Sequence, residues 1–330
     1  MRRALPAVCL VLALALSSCA PQKRTASFFA MDTFMELTVY GEESVLDDTR
    51  ALIERLEGEL SVTDPESEIR ALNQNGTAEL GEDARSLLER ALEICALTGG
   101  ALDITVYPVV RAWGFTVGEY RVPEPEEIAA LLEKVDYTRI YDLTLPEGFM
   151  VDLGAVAKGR ASDEAVRIWG EAGVKSGLMS LGGSVYAMGT KPDGSRWRVG
   201  IRDPFSDGLL AAVEVEDRAV VTSGGYERYF EENGRRYHHI IDPKTGYPAR
   251  SGLASVTVIG GEGTLCDGLS TAFYVMGLER ALELWRSAEL EVEAVFVTED
   301  GEITVTEGLE GSFEPLGDYK NAEIKVVGRG

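Results

Sequence analysis

The sequence predicts an α+β fold in which mixed or antiparallel sheets are flanked by helices. The first half has helical periodicity, whereas residues 178–259 alternate almost throughout like strands. Runs of strands combined with a few long helices are typical of α+β proteins rather than of regular βαβ repeats. The 330 residues, 45% hydrophobic and 26% charged, are typical of a globular protein with one large or two smaller domains. We expect two subdomains that meet near residues 150–176.

The elements are predicted in order from the spacing of apolar residues. Residues 34–40 alternate like a strand, and helices are predicted at 44–60, 82–98 and 124–134. A strand at 149–153 is expected to lead into a helix at 155–170. The remaining predicted strands are 178–189, 195–201, 210–216, 219–222, 236–241 and 253–259, followed by a helix at 267–288 and strands near 292–298, 302–306 and 322–326.

The N-terminus has the features of a bacterial secretory signal. Arg2 and Arg3 precede the apolar run Leu5–Leu16, which is too short for a stable transmembrane helix. Leu-Ser-Ser-Cys at 16–19 resembles a lipobox, so Cys19 is the expected site of lipidation; an ordinary signal peptide with an incidental cysteine is the alternative. We therefore expect a signal peptide at 1–18, a lipidated tether at 19–27 and a folded domain at 28–325. The protein is expected outside the cytoplasm, anchored to a bacterial membrane through lipid.

Charge and cysteine content exclude several classes of partner. The net charge is −23, which argues against binding to nucleic acid or to an anionic membrane surface through electrostatics. Outside the signal, only Cys95 and Cys266 remain, and no CxxC motif suggests a cysteine-ligated metal. The two thiols are expected either to pair in an oxidising compartment or to stay buried and free.

The segment 151–159, Val-Asp-Leu-Gly-Ala-Val-Ala-Lys-Gly, is a candidate phosphate site. A glycine turn that opens a helix leaves backbone N–H groups free at a positive helix end, with Lys158 one turn in. The segment does not match the Walker pattern. An ordinary turn with a solvated lysine is the alternative.

The segment 266–271, Cys-Asp-Gly-Leu-Ser-Thr, is a candidate magnesium site. On a helix, Asp267 and Thr271 are four residues apart and share a face. Their oxygens suit Mg²⁺ that is held by few protein groups and by substrate phosphates. The alternative is a helix-capping aspartate followed by packed hydroxyl side chains.

The segment 237–248 contains both histidines of the chain, His238 and His239. On a strand they point to opposite sides, and one of them could serve as a proton shuttle. Asp-Pro-Lys-Thr-Gly at 242–246 is a turn sequence. A structural hairpin with a histidine in the core is the alternative. Elsewhere, Asp103 lies between apolar residues and needs a partner if it is buried.

Taken together and in this order, these segments resemble the ApbE family of FAD:protein FMN transferases. The resemblance covers about residues 28–310. It is carried by Met-Asp-Thr-Phe at 31–34, Ala-Leu-Asp-Ile-Thr at 101–105, Trp-Gly-Phe at 113–115, Asp-Leu-Gly-Ala-Val-Ala-Lys-Gly at 152–159, Gly-Gly at 182–183, Ser-Gly at 223–224, His-Ile-Ile-Asp-Pro-Lys-Thr-Gly at 239–246 and Asp-Gly-Leu-Ser-Thr at 267–271.

The resemblance implies an ApbE-like (T-fold-like) architecture and a Mg²⁺-dependent transfer of FMN from FAD to a Thr or Ser hydroxyl, with release of AMP. It implies as acceptor a flavoprotein subunit of a membrane redox complex of the Rnf or Nqr type. His239 and Asp267 are the candidate general bases. By motif position, the magnesium ligands would be the Ala155 carbonyl, Asp267 and Thr271, with Ser270 close by, and the FAD site would be lined by Met31, Ala101, Leu102, Asp103, Asp152, Lys158 and Ile240.

One position departs from the family pattern. Thr63 stands where family members often carry an aromatic residue, shortly before the Pro-x-Ser-Glu-like segment. A stacking partner for FAD is therefore absent there or is supplied elsewhere. This leaves open a Mg²⁺-dependent FAD pyrophosphatase that produces FMN and AMP. A non-catalytic FAD-binding lipoprotein is a third reading, against which the intact pair Asp267 and Thr271 argues.

Overall fold

The computed structural model describes residues 22–116, 118–288 and 290–330. The predicted signal peptide and Cys19 lie outside these residues. Within them, no helix combines the length and the apolar character needed to cross a membrane.

Eight α-helices lie in the described residues, and most follow the predicted periodicity. Their apolar stripes are buried, as Leu46, Ile53, Leu56 and Leu60 show on the first of them. The helices are α1 Ser44–Leu60, α2 Glu68–Asn75, α3 Glu82–Leu97, α4 Tyr107–Ala112, α5 Pro125–Leu132, α6 Ala157–Glu171, α7 Gly263–Met276 and α8 Leu278–Ser287.

The described residues also form fourteen strands. These are β1 Lys23–Ala30, β2 Thr33–Tyr40, β3 Gly177–Leu181, β4 Ser184–Met188, β5 Trp197–Arg202, β6 Leu209–Val215, β7 Arg218–Gly224, β8 Tyr229–Glu232, β9 Arg235–His238, β10 Leu253–Gly260, β11 Val292–Thr298, β12 Ile303–Thr306, β13 Phe313–Pro315 and β14 Ile324–Val327. Nine of them form one sheet in the order β1-β2-β3-β4-β7-β10-β11-β12-β14; β13-β6-β5 and β8-β9 form two smaller sheets. Pairing in the large sheet is antiparallel except between β12 and β14. The predicted α+β class is confirmed.

The strands β7, β10, β11 and β12 of the large sheet are buried on both faces. Alternation along β7 puts Val221 in the main core beneath the helices and Val220 in a second core shared with the three-stranded sheet. A third, aromatic cluster around Trp113 and Tyr237 packs α4 and α5 against the β8–β9 hairpin. The helices α6 and α7 lie on the main-core face.

The N-terminal part of the sheet corrects one prediction. Residues 23–27, expected to belong to a tether, are part of β1, which pairs with β2 along its whole length. Exposed and less exposed side chains alternate along β1, and its polar first half made the segment look like a linker. The large sheet contains strands from both sides of residues 150–176, and the division into two subdomains there stays a prediction.

Two further predictions were wrong in detail. Residues 149–153 form no strand, because the side chain of Asn73 occupies both backbone groups of Val151, at 2.7 and 2.8 Å. The helix predicted at 267–288 is two helices. The first begins at Gly263, and the chain turns at Gly277, whose φ of 79° is unfavourable for residues with a side chain.

The predicted strand at 178–189 is a hairpin. It turns at Gly182 and Gly183, both with positive φ. A Cβ on Gly182 would lie 2.3 Å from the Thr33 hydroxyl, so this turn needs glycine to fit against the neighbouring β1–β2 turn.

Candidate functional site

The site is built where α6 and α7 cross at Gly159. A Cβ on Gly159 would lie 2.3 Å from the carbonyl oxygen of Gly263 and 2.6 Å from the Cα of Thr264. Only glycine lets the two helix backbones approach so closely. This contact brings the start of α6 beside Asp267, which lies one turn inside α7 and is therefore not its N-cap.

The close crossing changes the hydrogen bonding at the start of α6. The N–H of Gly159 donates to Asp267 Oδ2 at 2.9 Å instead of to the carbonyl of Ala155, four residues earlier. Among the described residues, no backbone N–H outside a regular helix or strand donates to that carbonyl. The structure therefore puts a free carbonyl oxygen and a buried carboxylate at the same helix end.

Ser223 on β7 contacts the hydroxyl groups of both Ser270 and Thr271. Ser270 donates to the Asp267 carbonyl at 2.8 Å, and its oxygen lies 2.8 Å from Ser223 Oγ on β7. Ser223 Oγ also lies 3.3 Å from Thr271 Oγ1. Ser223 thus fixes the position of both predicted hydroxyl groups.

Lys158 is the common electrostatic neighbour of three predicted site residues. It contributes positive charge to the surroundings of Asp152, Asp267 and His239. Burial raises the pKa of Asp267 above its ordinary value, and Lys158 and the Gly159 N–H oppose that rise. Burial likewise raises the pKa of Asp152 against the positive charges of Arg228 and Lys158. Two carboxylates in a poorly hydrated place favour a cation beside them.

Asp103 is buried and organises a loop. Its Oδ1 accepts from the backbone N–H and the hydroxyl of Thr105, at 2.9 and 2.6 Å, and its Oδ2 accepts from the N–H of Tyr137 at 3.1 Å. The next residue, Ile104, accepts from the N–H of Asp152 at 2.9 Å. The partner that a buried Asp103 requires is therefore present, and this loop lies against the turn that leads into α6. Its contact with FAD stays a prediction.

The other predicted FAD residues differ in how deeply they are buried. Ala101 and Leu102 are buried just after α3, and Leu102 faces Gly268 on α7. Ile240 is buried in the main core. Met31, half-buried, forms with Asp32 the positive-φ turn between β1 and β2.

His239 is held by Arg228. Both its backbone N–H and its Nδ1 face the Arg228 carbonyl, at 3.0 and 3.2 Å. An Nδ1 that donates to this carbonyl leaves Nε2 without a proton and able to accept one. Burial, aided by the Arg228 guanidinium, lowers the pKa of His239 to about 3. The imidazole is therefore neutral at physiological pH.

His238 lies on the other side of the strand end, as predicted. Its Nε2 lies 3.1 Å from the Ala249 carbonyl, and its ring packs edge-on against Tyr274 with 5.6 Å between centroids. Its Nδ1 is buried without a hydrogen-bond partner in the described structure. The two histidines thus lie in different environments.

At the position where the family pattern has an aromatic residue, Thr63 is exposed. Its carbonyl accepts from Arg70 Nη1 at 2.5 Å, while Arg70 Nε is buried with no hydrogen-bond partner in the described structure. Arg70 is also an electrostatic neighbour of Tyr107, as is Asp152. The surroundings of Thr63 therefore offer a guanidinium, a group that can stack on a planar ring.

The two cysteines do not pair. Cys95 and Cys266 are both buried, free thiols. Burial raises the pKa of Cys95 to about 12, and it raises that of Cys266 as well. Both side chains act as core residues.

Sequence reasoning missed several residues that position the site. Asp163 on α6 accepts from the backbone N–H groups of Gly263 and Thr264, at 2.6 and 2.9 Å, and so caps α7. Ser223 and Arg228 also position the site, through contacts that a local sequence pattern does not reveal. Gly159 does have a local signal, because an isolated glycine inside a helical pattern indicates a close approach of another segment.

The fold and this site place the chain in a known class. The profile described as the ApbE family matches residues 31–296. This is most of the sequence, and the chain belongs to the ApbE family.

The relatives carry one name. A protein of Treponema pallidum, 35% identical over 81% of this chain and 80% of its own, is named FAD:protein FMN transferase. A Haemophilus influenzae protein with the same name is 32% identical over 79% of this chain and 81% of its own. The ApbE structure from Thermotoga maritima, with 32% identity and a TM-score of 0.83, is matched over 88% of this chain and 99% of that one. The apo flavinyl transferase ApbE of Pseudomonas stutzeri has 29% identity and a TM-score of 0.78, covering 88% of this chain and 97% of its own.

Proposed function

We propose that this protein transfers FMN from FAD to a Ser or Thr hydroxyl of an acceptor protein in a Mg²⁺-dependent reaction. The acceptor oxygen forms a bond to the FMN phosphorus, the bond from that phosphorus to the bridging oxygen breaks, and AMP leaves. The observation that carries the proposal is the convergence of Asp267, a free Ala155 carbonyl and the hydroxyl of Thr271 at one helix crossing. The relatives named for this activity support the same conclusion.

The oxygen donors fit Mg²⁺. In the described residues no three His, Cys, Asp or Glu side chains gather in a cluster that could hold a metal. One buried carboxylate, one carbonyl and the hydroxyl groups of Ser270 and Thr271 form instead the kind of incomplete oxygen set that Mg²⁺ completes with water and phosphate. When bound, the ion neutralises charge on the pyrophosphate.

The residues around this set bind and orient the pyrophosphate. Lys158 and the N-terminal end of α6 supply positive potential within an acidic protein. Asp267 is held by Gly159 and cannot swing away, and Thr271 is held by Ser223. Since phosphoryl transfer depends mainly on positioning and charge neutralisation, this rigidity is the protein's main contribution.

Of the two candidate bases, the geometry favours His239. The Asp267 carboxylate already accepts from Gly159 and is part of the metal set, whereas His239 Nε2 is a neutral acceptor. The positive charges of Arg228 and Lys158 weaken this base. The negative phosphates of bound FAD offset that effect and make the imidazole a better proton acceptor.

The proposal includes a cellular location for the protein. A signal sequence that ends just before Cys19 supports lipid anchoring outside the cytoplasm, where the acceptor would be a flavoprotein subunit of a membrane redox complex of the Rnf or Nqr type. The strand β1 begins four residues after Cys19, which leaves a very short connection to the folded domain.

The test is mass spectrometry of a purified Rnf-type flavin subunit after incubation with enzyme, FAD and Mg²⁺, with AMP and free FMN measured in parallel. We expect a mass gain equal to an FMN phosphoester, together with AMP. Asp267→Ala should abolish it, and Ser255→Ala should retain it, because the buried Ser255 hydroxyl has no hydrogen-bond partner in the described structure. AMP and free FMN without labelling would show a pyrophosphatase. Tight FAD binding without turnover would show a storage protein.

A further inference from the structure

Two cavities adjoin the segments that follow Thr271 on α7 and Ser223 on β7. The first, of about 390 Å³, is lined by His238, Tyr274 and Gly225 among others, and the second measures about 410 Å³. Both are lined by Arg235, Pro248 and Arg250, so they adjoin each other. None of the predicted FAD residues lines either cavity.

The first cavity is joined to the site through two elements of the fold. On α7, Tyr274 lies three residues after Thr271, about 4.5 Å further along the helix axis. Gly225 directly follows β7 and comes two residues after Ser223. A molecule in the groove would therefore lie next to the phosphate site without occupying it.

Three arginines and two acidic residues line this groove. Arg235 and Arg250 form no ion pair among the described residues; Arg235 lies over the ring of Tyr237 at 5.2 Å. The third arginine, Arg236, is 3.4 Å from Glu231, and the acidic residues of the lining are Glu299 in the first cavity and Asp242 in the second. In a protein with a net charge of −23, two arginines without an ion pair at one groove point to an anionic occupant.

The walls of the groove suit a polypeptide. Tyr226, Tyr237 and Tyr274 line the first cavity, and tyrosines supply contact area at low cost in side-chain entropy. Tyr226 Oη and His238 Nδ1 are buried polar atoms with no hydrogen-bond partner in the described structure, which is uncommon. Two adjoining cavities, each near the lower end of the usual range for ligand pockets of about 300–1,000 Å³, fit an extended segment better than one compact ligand.

We propose that this groove docks an extended, carboxylate-bearing segment of the acceptor protein, with Arg235 and Arg250 as its anchors. The inference rests on the proposed transferase function and specifies where the acceptor protein, the second substrate, binds. An acceptor segment that bears carboxylates is repelled by the strongly acidic protein when it brings its hydroxyl to the phosphate site. The arginines of this groove offset that repulsion beside the site.

The experiment compares Arg235→Glu/Arg250→Glu with a control of equal charge change, Arg85→Glu/Arg286→Glu. The control arginines lie on α3 and α8, outside the lining of both cavities. With the Rnf-type flavin subunit as acceptor, we expect the groove variant to raise KM for the acceptor at least tenfold and to leave FAD affinity unchanged. KM of the wild type should rise with salt, and that of the groove variant should rise less. Equal KM values in the groove and control variants would overturn the proposal.

A direct binding measurement separates this inference from the proposed function. Fluorescently labelled acceptor is titrated with each variant, and phosphatidylglycerol vesicles are titrated in parallel. Acceptor binding that requires the two arginines supports docking even if no FMN is transferred, an outcome that would contradict only the transferase. Arginine-dependent binding to vesicles but not to acceptor would overturn the inference in favour of a membrane contact.

Discussion

The α6–α7 crossing gives the sharpest prediction, because Gly159→Ala should disturb both packing and the proposed metal site. The added Cβ would lie 2.3 Å from the Gly263 carbonyl oxygen, whereas ordinary contact begins at 3.4 Å. The helices must therefore separate locally by about 1.1 Å, the difference between these distances. The same shift would stretch the 2.9 Å bond from Gly159 to Asp267 beyond hydrogen-bonding range.

The expected cost follows from two effects. Overpacking costs about 1–3 kcal/mol, and loss of a hydrogen bond to a charged group costs about 1.5–3 kcal/mol. Since the two effects arise from one displacement, we expect a total of about 2–4 kcal/mol. At about 2–4 °C per kcal/mol for a domain of this size, Tm should fall by roughly 5–15 °C.

The assay is thermal unfolding in EDTA, repeated with FAD and Mg²⁺. Gly170→Ala, on the same helix, is the matched control, because its Cβ would meet only the Met188 methyl group, at 3.9 Å. That substitution should be neutral or stabilise by about 0.5–1 kcal/mol. If Gly159→Ala melts like Gly170→Ala and gains as much stability from FAD and Mg²⁺ as the wild type, the role assigned to this crossing is wrong.

Three further predictions concern the groups around this crossing. Because burial raises the pKa of Asp267, its ionisation destabilises the metal-free fold as pH rises above about 4. Asp267→Asn should therefore raise Tm in EDTA at pH 7, an advantage that disappears near pH 4, while transfer is lost. Because the pKa of His239 is lowered to about 3 in the FAD-free protein, kcat/KM for FAD, which reports groups of the free enzyme, should be flat between pH 5 and 8. Finally, Ser223→Ala should raise the Mg²⁺ concentration for half-maximal transfer about tenfold by releasing Thr271, and Ser255→Ala should not.

Each of these has a contrary result. A Tm advantage of Asp267→Asn that is independent of pH would show that the buried charge is not its cause. A break in the rate profile near pH 6.5, removed by His239→Gln, would show that His239 titrates normally. An unchanged magnesium requirement in Ser223→Ala would mean that Thr271 is positioned without it.

Local patterns predicted most of the fold. The helix α1 was predicted with its observed bounds, because its apolar spacing matches a buried stripe. The strand expected at 149–153 was wrong, because Asn73 from a distant helix competes for its backbone groups. The break at Gly277 was missed because the hydrophobic period continues through it. Contacts between segments far apart in sequence decide such cases, and a local pattern does not contain them.

The candidate site shows the same division. That Asp267 and Thr271 share one face of a helix could be predicted from their spacing. The free carbonyl of Ala155 came only from the resemblance, and its physical reason is the contact of Gly159 with Asp267. The part played by Arg228 in holding His239 has no signal in the sequence, because it acts through a backbone carbonyl.

The distance in sequence across the α6–α7 crossing has a consequence for how the protein matures. Gly159 and Asp267 are 108 positions apart, and Ser223 and Thr271 are separated by 48. Closing such long loops is slow, and the proposed metal donors come together only when the central strands have paired. A newly made chain therefore acquires its ligand-binding ability late in folding. The appearance of Mg²⁺-dependent FAD binding during refolding would time the last step of assembly, and incompletely folded chains would not sequester the nucleotide.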